Sequence, residues 1–583
     1  VTPAPNPAAL PVQSLVLIPL LRADLEAANY SVATLSGLWG PEADAALRRN
    51  QRVPALRALA ALRGRLGRDE PSATLAQLFV LGLPVTRGAL SKALPNLGAA
   101  GAVTLGLVAP VGDDDDAAAN AGDDAGENAL LRPLVELRPY SFVDAHGAGS
   151  WWITSDLGEL VLGHALGESH VLGVGGASLT LSGLLLPSPV DTALDLGTGC
   201  GIQALHASRH ARRVVATDIS VRALELAALN AALNGVTNIE FRLGSLFEPV
   251  AGERFDHIIS NPPFVITPRA EGVPSYEYRD GGLVGDALVE SVVRGAAAHL
   301  TPNGVAQLLG NWEYRAGQDA FDRLAGWLEP ESGAETGSAA AGSAATGPAS
   351  ADAPGRDDLA GAVSGAAAST ALDAWIIERE VQSPELYAET WIRDGGTRPG
   401  TADFDRLYDA WLDDFAVRGV TQVGFGYLLL RRPDADRPAS IPALRRLERL
   451  HGGLGHNPDG IGSHLAACLA AHDWHAALPD DDLVYATLTV ASDVTEERHF
   501  WPGQEDPTLL TLHQGGGFGR SVSLDTALAA LVGACDGELA VGAISGALAE
   551  LLEVSERDLT AELLPRVREL LDDGFLLPPE LRA

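Results

Sequence analysis

Thr192-Ala193-Leu194-Asp195-Leu196-Gly197-Thr198-Gly199-Cys200-Gly201 runs an apolar strand into a glycine-rich turn. Glycine has no Cβ, so three of them let the backbone turn sharply and approach a ligand closely. A helix follows the turn, and open α/β sheets bind ligands at the carboxyl ends of their strands. The turn is not a phosphate-binding Walker loop, because no Lys-Ser/Thr follows it. It also lacks dinucleotide spacing, since its glycines run G-x-G-x-G and not GxGxxG.

The next apolar run, Val214-Val215-Ala216-Thr217, ends on Asp218. An acid there is placed to accept hydrogen bonds from ribose hydroxyls, the logic of dinucleotide folds. The competing reading is a cap for the following helix, a task Ser220 can take instead. Further on, Ile258-Ile259-Ser260 delivers the tetrapeptide Asn261-Pro262-Pro263-Phe264 at the end of a fourth strand. Paired prolines stiffen the chain and donate no backbone hydrogen bond. The Asn261 side-chain oxygen and the Pro262 carbonyl are then both acceptors, able to hold an NH2 group and aim its lone pair. Phe264 offers an aromatic face to a planar amide or base. The bland alternative is a rigid loop exit.

Strand and helix alternate around these motifs. Residues 192–196, 213–217, 239–243, 257–260 and 305–309 read as strands, with the clearest helix at 220–234. Such alternation predicts an α/β fold with a doubly wound, mostly parallel sheet. A Gly/Ala/Ser/Thr/Pro-rich insertion at 332–370 reads as disordered. Pattern returns with a strand at 373–378, helices near 384–393 and 402–418, and a last strand at 424–431. Seven strands result.

Loop, acid and tetrapeptide, in that order, resemble the class I methyltransferases, a Rossmann-like fold. More narrowly, they resemble the amino-methylating branch with an Asn/Asp-Pro-Pro-aromatic motif. That branch includes HemK-type glutamine methyltransferases, small-domain ribosomal RNA guanine methyltransferases and N6-adenine methyltransferases. The resemblance covers roughly residues 170–310 and the two later strands. It implies S-adenosyl-L-methionine as cofactor, with Asp195, Gly197, Thr198, Gly199 and Gly201 around its methionine part. Asp218 and Ile219 then serve the ribose side, Ser245 and Leu246 flank the adenine, and Asn261 borders the transferred methyl. Many relatives carry an acid where Ser245 stands. Asn261, Pro262, Pro263 and Phe264 are the implied catalytic group, and no metal is needed. The implied acceptor is macromolecular. A glutamine of a translation-related protein is one candidate, and an exocyclic amine of RNA is the other. Phe264 stands where HemK-type enzymes usually carry Tyr, which keeps the RNA candidate open. A reading from another class is a binding protein that retains the fold without catalysis.

Outside this domain the sequence says less. Residues 1–111 read as helical, with helix, turn, helix and strand near 73–111 fitting either a winged helix or a generic helical domain. Pro19 places the start of the first helix near itself. Residues 112–129, including Asp113–Asp116, read as an acidic linker. A β-hairpin should lead into the methyltransferase domain of 130–432, and residues 440–583 form an accessory domain with a second winged-helix-like end. Both flanking domains are expected to bind the acceptor.

The formal charge is −35. Such a surface repels phosphate unless basic residues cluster, and no basic run interleaved with aromatics occurs. It suits a basic protein partner. Lysine occurs once, at Lys92, so the basic residues are otherwise arginine. Cys200, Cys468 and Cys535 form no CxxC, which fits a reducing, cytoplasmic setting. No apolar run reaches membrane-spanning length. Three lesser features remain. His464, Cys468 and His472, with His475 behind them, could share a helix face and ligate zinc, or simply pack. Gly515-Gly516-Gly517-Phe518-Gly519 reads as an anion cradle or a turn. Asp280 reads as a substrate contact or a turn acid.

Overall fold

The structure, a computed structural model, describes residues 10–112, 126–329 and 372–581, apart from 163–165, 168, 271, 275–278 and 439. The expected insertion at 332–370 and most of the acidic linker lie outside the described residues.

Eight strands form the central sheet: β1 (Val190–Leu196), β2 (Ala211–Asp218), β3 (Ile239–Leu243), β4 (Phe255–Ser260), β5 (Leu300–Arg315), β6 (Asp373–Gln382), β7 (Val420–Arg431) and β8 (Arg445–Arg449). Their order is β8-β6-β7-β5-β4-β1-β2-β3. β7 runs antiparallel to both its neighbours, β5 and β6. The other pairings are parallel. Helices α1 (Ile202–Ala207), α2 (Val221–Leu233), α3 (Ala287–His299) and α4 (Ala320–Trp327) follow β1, β2, β4 and β5, and α5 (Pro384–Asp394) and α6 (Ala402–Arg418) fill the β6–β7 crossover. Strands buried on both faces are apolar throughout. In β1, Leu194 packs into one core layer with Val289 and Val292, while Ala193 packs into the other with Ala204 and Ala207.

The expected count of seven strands is corrected to eight. The added strand reads Arg445-Arg446-Leu447-Glu448-Arg449 and pairs with β6 at the sheet edge. Edge strands carry charge, so this one has no apolar alternation to announce it. Residues taken from sequence as the start of the C-terminal region thus belong to the central sheet.

The N-terminal region has the element order of a winged helix. Helices Pro71–Phe79, Arg87–Ala93 and Gly98–Thr104 accompany a three-stranded antiparallel sheet with Leu130–Pro133 between Val85–Thr86 and Val108–Pro110. Ahead of it, helix Val12–Ala27 runs through Pro19, against the expected start there. Burial of Ile18, Leu21 and Leu25 on its inner face outweighs the one lost backbone bond. The carboxylate of buried Asp24 accepts from the Asn96 and Leu97 backbone N–H groups and fastens that helix to the winged helix. The predicted hairpin is present as Glu136–Asp144 and Gly147–Ser155. At the C-terminus, helices Thr526–Gly533, Val541–Leu552 and Glu556–Asp572 surround a small sheet whose middle strand, Thr487–Val490, comes from upstream of all three.

Candidate functional site

Strands β3, β2, β1 and β4 end side by side, and the winding direction of the sheet reverses between β1 and β4. A crevice at such a switch point is where open α/β sheets bind ligands. The glycine turn lies there. A Cβ on Gly201 would stand 2.9 Å from the Ala227 Cβ, so this glycine lets α2 pack against the turn. Gly197 and Gly199, at φ 76° and 54°, have nothing within 4 Å of a built Cβ and border open space.

Asp195 is buried at the end of β1. One carboxylate oxygen accepts from the Thr198 hydroxyl at 2.6 Å, and the other is buried without a partner. Burial pushes its pKa up to about 7. Asp218 accepts from the Gly199 N–H and from the Ser220 N–H, both at 2.9 Å. Ser220 caps α2 through the Ala223 N–H, so the acid is not spent on that cap and instead ties the glycine turn to the end of β2. The Gly244 N–H donates to the Asp218 carbonyl, which brings the β3 exit alongside. Leu246 there adopts the left-handed φ of 46°. Ile219 and Leu243 stay 56% and 42% exposed, an apolar wall open to a ligand. Ser245 is exposed beside them.

At the end of β4 the Ser260 hydroxyl donates to the Leu196 carbonyl at 2.9 Å, which fixes the tetrapeptide relative to the turn. The Asn261 side-chain oxygen is buried without a partner. The Pro263 carbonyl accepts from the Gly281 N–H, and Phe264 pairs with Asp280 across a backbone bridge. Buried Asp280 faces Arg269 at 3.4 Å, so it braces the segment leaving the tetrapeptide. All the predicted site residues therefore gather at the carboxyl ends of four adjacent strands.

Several neighbours had no local signal in the sequence. Phe425 of β7 packs against Phe264, ring centres 5.5 Å apart. The Tyr387 hydroxyl on α5 accepts from the Ile266 N–H at 3.0 Å and from the Asn311 amide at 2.6 Å. Asn230 of α2 donates to the Cys200 carbonyl while gripping the hairpin at Thr154. Their sequence distance from the motifs hid them.

The lesser features resolve differently. His472 Nδ1 and His475 Nε2 both meet Asp572, at 2.9 and 2.7 Å, whereas His464 faces Cys468. Arg568 donates to His475 Nδ1 at 3.3 Å. That nitrogen is then the acceptor, and Nε2 carries the proton and donates to Asp572. His472, His475 and Asp572 bring their ligand atoms within 4.8 Å of one another, a different group from the His464, Cys468 and His472 set expected from the sequence. Burial works against it, yet the two imidazoles hold the Asp572 carboxyl well below the usual range. The glycines at 515–517 are also engaged: the Gly516 and Gly517 N–H groups donate to Asp493 and Asn457. This is a turn packed on its neighbours, with those donors already used.

Residues 175–322 match the family described as methyltransferase small domain. Residues 27–119 and 466–578 match two domains of unknown function (DUF7059 and DUF7782). The chain is 36% identical over 160 residues to a ribosomal protein uL3 glutamine methyltransferase of Bradyrhizobium diazoefficiens, covering 26% of this chain and 47% of that one. It is 38% identical over 141 residues to a release factor glutamine methyltransferase of Xylella fastidiosa, covering 23% and 51%. A release factor glutamine methyltransferase of Cereibacter sphaeroides is 42% identical over 130 residues, covering 20% and 46%. The chain thus spans about half the length of these curated relatives.

Proposed function

We infer, from the premise that residues 175–322 belong to the methyltransferase small-domain family, class I and HemK type, that this chain methylates a planar nitrogen with S-adenosyl-L-methionine. The acceptor we propose is a glutamine side-chain amide of a translation-related protein. The observation that carries this reading is the Asn261 oxygen, buried and unpartnered at the end of β4. A buried acceptor without a donor is costly, and an acceptor NH2 group would relieve it.

The cofactor pocket fits. The unpartnered Asp195 oxygen and the open space at Gly197 and Gly199 suit a cationic methionine moiety. Asp218, at the end of β2, is placed to accept from ribose hydroxyls, and Ile219, Ser245 and Leu246 offer a wall for a flat adenine. When bound, the cofactor supplies a methyl group on a sulfonium that is its own leaving group. Asn261 and the Pro262 carbonyl accept from the amide NH2 and turn its lone pair toward that carbon. Phe264 lies against the amide plane, held by Phe425. With sulfur as the leaving group for the methyl, the chain's own part is to hold the amide nitrogen in line and let its surplus proton pass to water. Catalysis is mainly positioning, with acceptors aimed where positive charge grows.

The names of the curated relatives support the glutamine acceptor, as does an acidic chain that attracts basic proteins. Calorimetry with S-adenosylmethionine should show binding by the intact chain and its loss in Asp218→Ala; no binding by either rules out the cofactor. Radiolabelled methyl transfer into cell extract separates the acceptors. Label that survives nuclease and is released by protease supports glutamine, and label lost with nuclease points to a nucleobase amine.

A further inference from the structure

Residues 1–112 run against the charge of the rest of the chain. They carry ten basic and six acidic residues, a net +4, whereas the remaining residues carry 31 and 70, a net −39. The excess is concentrated, for residues 45–68 hold seven arginines and no acid. That stretch joins helix Val32–Leu47 to helix Val53–Leu66, two helices packed as a hairpin ahead of the winged helix. Arg48, Arg49, Arg57, Arg63, Arg65 and Arg68 are exposed. Arg48, Arg63 and Arg68 reach acids at 3.5, 2.7 and 3.3 Å, yet their side chains stay 81%, 59% and 69% exposed. Exposed pairs of this kind hold weakly and yield to a stronger anion. Among the described residues Arg49, Arg57 and Arg65 have no acidic partner.

Arginine presents a planar fork that matches phosphate oxygens two at a time. A patch this basic, on a chain otherwise this acidic, is an electrostatic footprint for a polyanion. The manner of recognition narrows it. Residues 45–68 contain no aromatic, so the patch has no stacking platform for unpaired bases. The third helix of the adjoining winged helix, Gly98–Thr104, carries no charged residue, so it lacks the side chains that read base edges in a DNA major groove. What remains is contact with backbone and shape, the usual mode for double-stranded RNA.

We propose that the arginine-rich hairpin of residues 45–68 docks the phosphate backbone of an RNA duplex. This stands apart from the methyl-transfer reading, since neither cofactor nor acceptor enters it. The test is fluorescence anisotropy of the full chain with a labelled 20-base-pair RNA duplex across a salt series. Binding should weaken steeply with salt, and Arg49→Gln/Arg57→Gln/Arg65→Gln should weaken it at least tenfold. The log–log salt slope of that variant should shrink by up to about 3, one per lost phosphate contact. Circular dichroism and cofactor affinity, which these exposed arginines do not touch, should stay unchanged. Absence of duplex binding at low salt overturns the proposal, as does a triple variant that binds equally. Equal or tighter binding to a DNA duplex of the same sequence, to poly-glutamate or to phosphatidylserine vesicles also overturns it.

Discussion

Asp195 holds one oxygen on Thr198 and the other unpartnered, and burial keeps its carboxyl near pH 7. Its ordinary value lies near 3.8, so without ligand burial holds the carboxyl toward its protonated form. A cationic ligand beside it favours the carboxylate. Cofactor binding at pH 6.5 should therefore release a fraction of a proton, and affinity should rise as pH climbs toward 7. Calorimetry in buffers of differing ionisation enthalpy reads the proton; Asp195→Asn should abolish its release. On the proposed reading, Asn261 serves the other half of the site. Asn261→Ala should cut methyl transfer roughly 100-fold or more while cofactor affinity changes little. A parallel loss of cofactor binding would assign Asn261 to the cofactor instead. Both residues stand at strand ends within short motifs, which is why the sequence exposed them. Phe425, Tyr387 and Asn311 reach the tetrapeptide and the segment after it from β7, α5 and β5, and nothing in their own surroundings marks them.

Among the elements, α2 links the cofactor turn to the hairpin. Asn230 is fully buried and bonds the Thr154 backbone and hydroxyl together with the Cys200 carbonyl. Removing its amide strands several buried groups at once. Asn230→Ala should destabilise the fold by about 2–4 kcal/mol, read as a fall in the urea midpoint, with weaker cofactor binding because the turn loses a support. An unchanged midpoint would mean that the hairpin is held by its aromatic packing alone. The N-terminal region bears on the same helix: Arg22 donates to the Leu233 carbonyl at 2.7 Å, where α2 ends. Helices and apolar strands were legible from their periodicity. β8 was not, because a charged edge strand has the composition of a loop. The helix through Pro19 was misread because local propensity opposed it and tertiary burial prevailed.

Across the whole molecule, buried imidazoles link the start of β2 to strands β4 and β5. His210 Nε2 meets His257 Nδ1 at 3.0 Å, and His257 Nε2 meets the Gln307 oxygen at 3.0 Å. Burial lowers His206 and His210 to about 4 and His257 to about 3. The unfolded chain titrates these groups near 6.5. Above that pH they are neutral in both states and the fold keeps its full stability. As pH falls from 6.5 toward 4, the unfolded state takes up protons that the folded state refuses. Stability then drops by about 1.4 kcal/mol per pH unit for each histidine. The midpoint of thermal unfolding should fall clearly between pH 7 and pH 5; a flat profile would show that the three rings are solvated. The C-terminal region is seated by close backbone contact: a Cβ at Gly462 would stand 2.0 Å from the Leu185 carbonyl oxygen. Gly462→Ala should loosen that seat and raise protease sensitivity after residue 432, while the isolated methyltransferase motifs stay intact.

The sequence by itself determined the glycine turn, the acid that ends β2 and the alternation that builds the sheet. All three are local: a strand, its turn and the residue that ends it are neighbours in the chain, and their chemistry is readable within a dozen positions. Only the tertiary structure decided the eighth strand, the bracing of the tetrapeptide by Asp280 and Phe425, and the meeting of His472 and His475 with Asp572. Those depend on which distant segments meet, and long-range packing leaves no trace in local composition. The arginine hairpin needed both. Its charge was written in residues 45–68, but its exposure and the weakness of its pairing were set by the fold.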